Sequence, residues 1–157
     1  MNDRLACMVG RWSGEGHGVF PTIDAFVYRE TLEIERRDDT SLFYLQKSER
    51  AAPPDGGWIT SHSESGFIRQ LEDGALELTS AHSRGRAEIL RGSAVVSESP
   101  MVVEFVSTAV SNDPRVVTSA RRWEIDADAF RYTMAMGTTR VPQLTPHLSA
   151  VLRRQRD

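Results

Sequence analysis

Between Phe26 and Met136 the chain returns repeatedly to short runs in which apolar and polar residues alternate, separated by turn formers. In Phe26 to Ile34, the residues Phe26, Tyr28, Leu32 and Ile34 share one parity and Arg29, Thr31 and Glu33 the other. That period belongs to a strand with one buried face. Comparable runs follow at SLFYLQ, ESGFIRQL, GALELTSAH, RAEILRGSAVV, MVVEFVSTAV, RVVTSARRWEI and FRYTMAM. They are broken by EDG, SESP, NDP and DADA, which suit turns, while RAAPPDGGW (Arg50 to Trp58) has the composition of a loop between strands. Short strands at near-regular spacing predict an all-β chain, an antiparallel sandwich or closed barrel. The barrel is favoured because closure removes unpaired edges and encloses a lumen. With 157 residues, 39% of them hydrophobic, and neither a repeat nor a low-complexity segment, the chain has material for one domain, 1–157.

The stretch GRWSGEGHGVF reads as the first strand. Trp12, Gly14, Gly16, Gly18 and Phe20 fall on its inward face, with Arg11, Ser13, Glu15, His17 and Val19 outward. A row of glycines between two aromatics suits close approach by another backbone or a flat ligand. It equally suits a strongly bent strand in which glycine relieves crowding.

Several function classes are disfavoured. The net charge is −3 and there is no long basic run, so neither nucleic acid nor an anionic membrane is an expected partner; the terminal RRQR reads as a solvated tail. No apolar run approaches the roughly 18 residues of a membrane-spanning helix. The first residues lack a signal-peptide pattern, and a cytoplasmic location is the expectation. The single cysteine, Cys7, has no partner for an internal disulfide and reads as a small hydrophobe.

Conventional catalytic signatures are absent: no G-x-S-x-G elbow, no P-loop, no C-x-x-C-H. The histidines are His17, His62, His82 and His147, and no two lie two to four residues apart, so no local metal-binding pair exists. His17 falls outward. His82 shares the parity of Leu76 and Leu78 and points inward, as a hydrogen-bonded core residue or a ligand-side one. His62 stands at a barrel mouth or in a polar loop. Around His147, the spacing of Leu144, Leu148, Val151 and Leu152 is helical, with Pro146 able to open a helix; as a strand, His147, Ser149 and Val151 share one face. Met134 and Met136 share a face with Phe130 and Tyr132, as core or as soft pocket lining.

The segments GRWSGEG, FPTI, HSESGF, LELTSAH and MAMGTTRVPQLTPHLSAVLRR, in that order from about Leu5 to Arg154, resemble the nitrobindin family. The first fits the signature G-x-W-x-G-x-G. The resemblance implies a lipocalin-like, fatty-acid-binding-protein-like antiparallel barrel of about ten strands that holds noncovalent ferric haem b in an open pocket. It implies that His147, in TPHLSA, is the axial iron ligand and lies on a strand, that Thr22 in FPTI contacts the haem, and that His62 is a pocket-side histidine. His82, Met134 and Met136 are further candidate lining residues.

The implied activity is binding of nitric oxide and isomerisation of peroxynitrite to nitrate, with no protein base needed. A haem or nitric-oxide carrier or sensor without turnover uses the same site, and the resemblance leaves a homodimer open. A haem-free lipid carrier is the third reading. Such barrels pair an inward arginine and tyrosine two residues apart, whereas Arg131 and Tyr132 are adjacent and face opposite sides; an inward Arg121 or Arg122 would restore that reading. SRGRAE, with Arg84 and Arg86, departs from the family's milder turn, a change that bears on the pocket mouth, on ligand access or on the surface alone.

Overall fold

A computed structural model describes residues 5–52, 54–95 and 99–156. Pro53 of the predicted loop, Val96, and Ser97 and Glu98 of the predicted turn lie outside the described residues, as do residues 1–4 and 157. Ten strands are found among the described residues. They are β1 (Gly10–Phe20), β2 (Ile23–Arg36), β3 (Ser41–Ala52), β4 (Gly57–Gln70) and β5 (Leu76–His82), then β6 (Ala87–Val95), β7 (Met101–Ser111), β8 (Val116–Ile125), β9 (Ala129–Thr138) and β10 (Thr145–Arg154). Each pairs antiparallel with its neighbours in sequence, and β1 with β10 closes the barrel. The alternation did its work: on β2, Tyr28, Leu32 and Ile34 are buried while Arg29, Thr31 and Glu33 are exposed or nearly so.

The outward faces carry cross-strand ion pairs such as Arg29–Glu49 at 2.6 Å and Arg122–Glu104 at 2.7 Å, and His17 is exposed among them. No helix among the described residues is long and apolar enough to cross a membrane.

One end of the barrel is plugged. A 3₁₀ turn, Ala6–Met8, tucks Leu5 and Met8 against Trp12, whose indole N–H donates to the Met8 carbonyl at 3.0 Å. Phe130 meets the Trp12 ring edge-on at 5.7 Å, and the Arg154 guanidinium lies 4.0 Å from that ring's centre while donating to the Cys7 and Val9 carbonyls. Cys7 packs on this core, where burial pushes its thiol pKa up. Each fully buried large side chain here contributes about 1.5–3 kcal/mol. The packed plug leaves the lumen to open elsewhere.

One expectation is corrected and two open alternatives are decided. Arg50–Trp58 is more strand than loop: β3 runs to Ala52 and β4 starts at Gly57. His62 is therefore inside β4, not in a loop. The helical alternative around His147 fails because 145–154 pairs with β1 on one side and β9 on the other, which places Ala150 and Leu152 in the core and leaves Leu144 and Val151 exposed.

The glycine row of β1 also has its explanation. Gly16 is registered opposite Tyr28 and Gly18 opposite Phe26. A Cβ on Gly16 would stand 2.5 Å from Tyr28 Cζ, and one on Gly18 would run into the Phe26 ring, while one on Gly14 would meet the Val151 carbonyl. The absent side chains are replaced by two cross-strand aromatic rings and by the backbone of β10. The space over these glycines thus belongs to the protein itself.

Candidate functional site

The lumen holds a cavity of about 300 Å³, walled by β2, β3, β4, β5, β8, β9 and β10 and including Phe26, Tyr28, Leu148 and Met134 among its apolar surfaces. Arg50, Arg84, Arg86 and Arg115 stand around it, with Asp113 paired to Arg86 and Arg115. The departure SRGRAE is thus part of the cavity wall.

His147 reaches this cavity through a break in the strand pattern. In β10, Ser149 and Val151 face out, and strict alternation would send His147 with them. The pairing with β9 shifts between Pro146 and Leu148, and that of β1 with β2 shifts between Gly18 and Phe20. In the first, His147 is the extra residue on β10; in the second the extra residue is on β2, where Asp24 and Ala25 stand against Val19. A bulge of this kind re-aims a side chain, and the re-aimed imidazole meets the β1 backbone: His147 Nδ1 lies 2.9 Å from the Val19 carbonyl. A carbonyl only accepts, so Nδ1 carries the proton and Nε2 keeps its lone pair. The Phe20 ring meets the imidazole edge-on at 5.6 Å, and that of Phe26 at 6.4 Å. Burial lowers the His147 pKa, the hydrogen bond to Val19 opposes this, and the charges of Arg86 and His62 lower it further. A neutral imidazole, one nitrogen tethered and the other bare, beside aromatic surface and a cavity, fits the donor requirement of a haem axial ligand.

Of the other candidates, His62, His82 and Met134 line the cavity. Met136 is half-buried and is not among the lining side chains, and Thr22 is exposed in the β1–β2 turn, two residues beyond Phe20.

Alternation alone does not reveal the polar half of the lumen. Glu64 is registered opposite His82, with His62 two residues before it on the same face. His62 Nε2 and His82 Nδ1 are 2.9 Å apart, and His82 Nε2 lies 3.1 Å from Glu88 Oε2. Arg121 bonds Glu64 at 2.6 Å and Glu88 at 3.0 Å, and Tyr44 donates to Glu64 at 2.9 Å. Burial alone would raise both carboxyls. For Glu64 the Arg121 charge and the His62 hydrogen bond prevail and hold it well below the usual range; for Glu88 the His82 hydrogen bond and Arg121 hold it at about 2. Arg122, the other arginine considered, faces out toward Glu104 and Glu124. The sequence did carry a signal for these groups: Glu30, Glu88 and Arg121 stand on the same parity as Tyr28, Leu90 and Trp123.

Glu30 is the exception to this pairing. It is buried against Gln46, whose amide donates to Oε2, while Oε1 has no hydrogen-bond partner; Tyr132 and Tyr28, 2.7 Å apart at their hydroxyls, lie alongside. Burial pushes its pKa up to about 7, against hydrogen bonds from Tyr132 and Gln46 that lower it, with Glu64 raising and Arg121 lowering it. The raised value means that the folded state binds the proton more tightly than the unfolded chain. The stabilisation is complete below the unfolded value of 4.5 and is lost as pH rises through 7. Glu30→Gln, which mimics the protonated acid, is expected to match wild type in urea unfolding near pH 4 and to exceed it by about 3 kcal/mol at pH 8. A pH-independent difference would show that Glu30 does not titrate in this range.

A family model described as the THAP4-like, heme-binding beta-barrel domain matches residues 2–154. "Peroxynitrite isomerase 1" of Mycolicibacterium paratuberculosis (strain ATCC BAA-968 / K-10) is 38% identical over 155 residues, covering 97% of this chain and 93% of that protein. "Peroxynitrite isomerase" of Nocardia farcinica (strain IFM 10152) is 35% identical, with 96% and 88% covered. The crystal structure of Rv2717c from M. tuberculosis superposes with a TM-score of 0.85 at 32% identity, covering 97% of this chain and 95% of that one.

Proposed function

The chain belongs to the family of THAP4-like, heme-binding β-barrel domains, and on that premise we propose that it holds ferric haem b noncovalently through His147 and isomerises peroxynitrite to nitrate. The observation that carries the assignment of His147 is its hydrogen bond to the Val19 carbonyl, which leaves Nε2 as the free donor beside the cavity. When bound, the ferric iron supplies a Lewis-acidic centre at which the O–O bond of the anion is weakened. The chain's own contribution is placement. His147 stays neutral because it is buried, Phe20 and Phe26 keep water from its flanks, and Arg84, Arg86 and Arg115 draw a small anion toward the cavity. Reactant and product have the same atoms and charge, so no net proton moves and no general base is called for. The relatives named as peroxynitrite isomerases support the reaction.

The lipid-carrier reading loses its anchor. Arg121 does point inward, but its charge is already matched by Glu64 and Glu88, which leaves no spare cation there for a fatty-acid carboxylate. The lone cysteine and the ion-paired outer surface support a cytoplasmic, membrane-free setting.

The test is stopped-flow decay of peroxynitrite with haem-loaded protein, haem-free protein and free haemin, followed by nitrate analysis. The loaded protein is expected to accelerate decay in proportion to its concentration and to raise the nitrate fraction. Decay no faster than with the haem-free chain would reduce the role to carriage or sensing.

A further inference from the structure

On the polar side of the cavity, three Lewis-basic atoms converge on one point. His62 Nε2 and His82 Nδ1 are 2.9 Å apart, and they lie 3.6 Å and 3.5 Å from Glu64 Oε2. A circle through these atoms has a radius of about 2 Å, which matches the length of zinc–imidazole and zinc–carboxylate bonds.

Each atom is also prepared for such a role. Glu88 Oε2 lies 3.1 Å from His82 Nε2, and a proton held on Nε2 toward that carboxylate leaves Nδ1 as the atom presented to the cluster. This carboxylate–histidine arrangement is the outer support that metal-binding imidazoles commonly have. Tyr44 and Arg121 donate to Glu64 Oε1 at 2.9 Å and 2.6 Å, and Arg121 also reaches Oε2 at 3.4 Å, which holds the carboxylate with Oε2 on the side of the histidines.

We propose that His62, Glu64 and His82 form a binding site for a divalent transition-metal ion, with zinc(II) the ion best suited to the two imidazoles and one carboxylate. All three residues line the cavity, so the remaining coordination position opens into it and takes water or a small anion. His62, half-exposed, marks the entry side. The Arg121 charge behind Glu64 opposes the cation, and Glu88 offsets it. The site is made by strands β4 and β5 and shares no residue with the Val19–His147 contact.

The test uses the full chain, free of haem and cleared of cations by a chelator, so its result is independent of the haem reading. Zinc(II) is titrated by calorimetry, and cobalt(II) is added as a chromophoric substitute. One ion per chain is expected, with cobalt bands of low-coordinate N/O ligation. His62→Ala, which touches only the open side of the cluster, is expected to weaken zinc binding by about 100-fold or more, with circular dichroism unchanged. His147→Ala is expected to leave it unaltered. No saturable binding in wild type, binding that survives His62→Ala, or binding lost in His147→Ala would each overturn the site.

Discussion

His147→Ala is expected to weaken haemin binding by at least about 100-fold and to abolish the Soret band of an imidazole-ligated ferric haem. The scale follows from metal sites in which loss of an outer hydrogen bond alone costs about 10–100-fold, so loss of the axial donor costs no less. The imidazole is half-buried and hydrogen-bonds the Val19 carbonyl, so the barrel should fold without it. Added imidazole should restore the wild-type spectrum by entering the space left behind. The outward His17→Ala serves as control. Equal, saturable spectral titrations of wild type and His147→Ala would remove His147 as the ligand.

The second large effect is on stability. Arg121 is 8% exposed and stands between two buried carboxylates. Arg121→Met keeps the volume and removes the charge, so Glu64 and Glu88 face each other with no compensating cation between them. A loss of about 3–5 kcal/mol is expected, read as a lowered midpoint in urea unfolding at pH 7. The loss should shrink toward acid pH as the carboxyls take up protons. Adding Glu64→Gln and Glu88→Gln to Arg121→Met should recover most of it, because the penalty comes from the unpaired charges and not from the missing side chain. A single variant as stable as wild type at pH 7 would mean that the carboxylates are neutralised by other means.

Much of the barrel was legible because a strand with one wet face writes its period into the sequence, as in Phe26 to Ile34. The polar runs hid more. Thr60 to Ser63 has no apolar alternation, so β4 showed itself only from Glu64 onward and His62 was left between loop and mouth. The histidine spacing rule found no metal pair because it inspects one strand at a time. The proximity of His62 to His82 is created by the register that sets Glu64 opposite His82, a property of two strands together. Glu30 fell on an apolar parity and was passed over in favour of its aromatic neighbours, although a charge in that position is the mark of a buried polar group. The case that the sequence makes for His147 rests on resemblance only. Its alternation, taken alone, turns it to solvent.

That last point bears on how such a site is gained and lost. The imidazole proposed as the ligand is aimed by one extra residue on β10, His147 itself, and tethered to the Val19 carbonyl of β1. The chemistry is therefore written in chain length as much as in side-chain identity. A relative may keep the histidine, the phenylalanines and the whole barrel, yet shortening the strand by one residue would present the imidazole to solvent. Comparing such chains column by column would score the residue as retained after its role had gone.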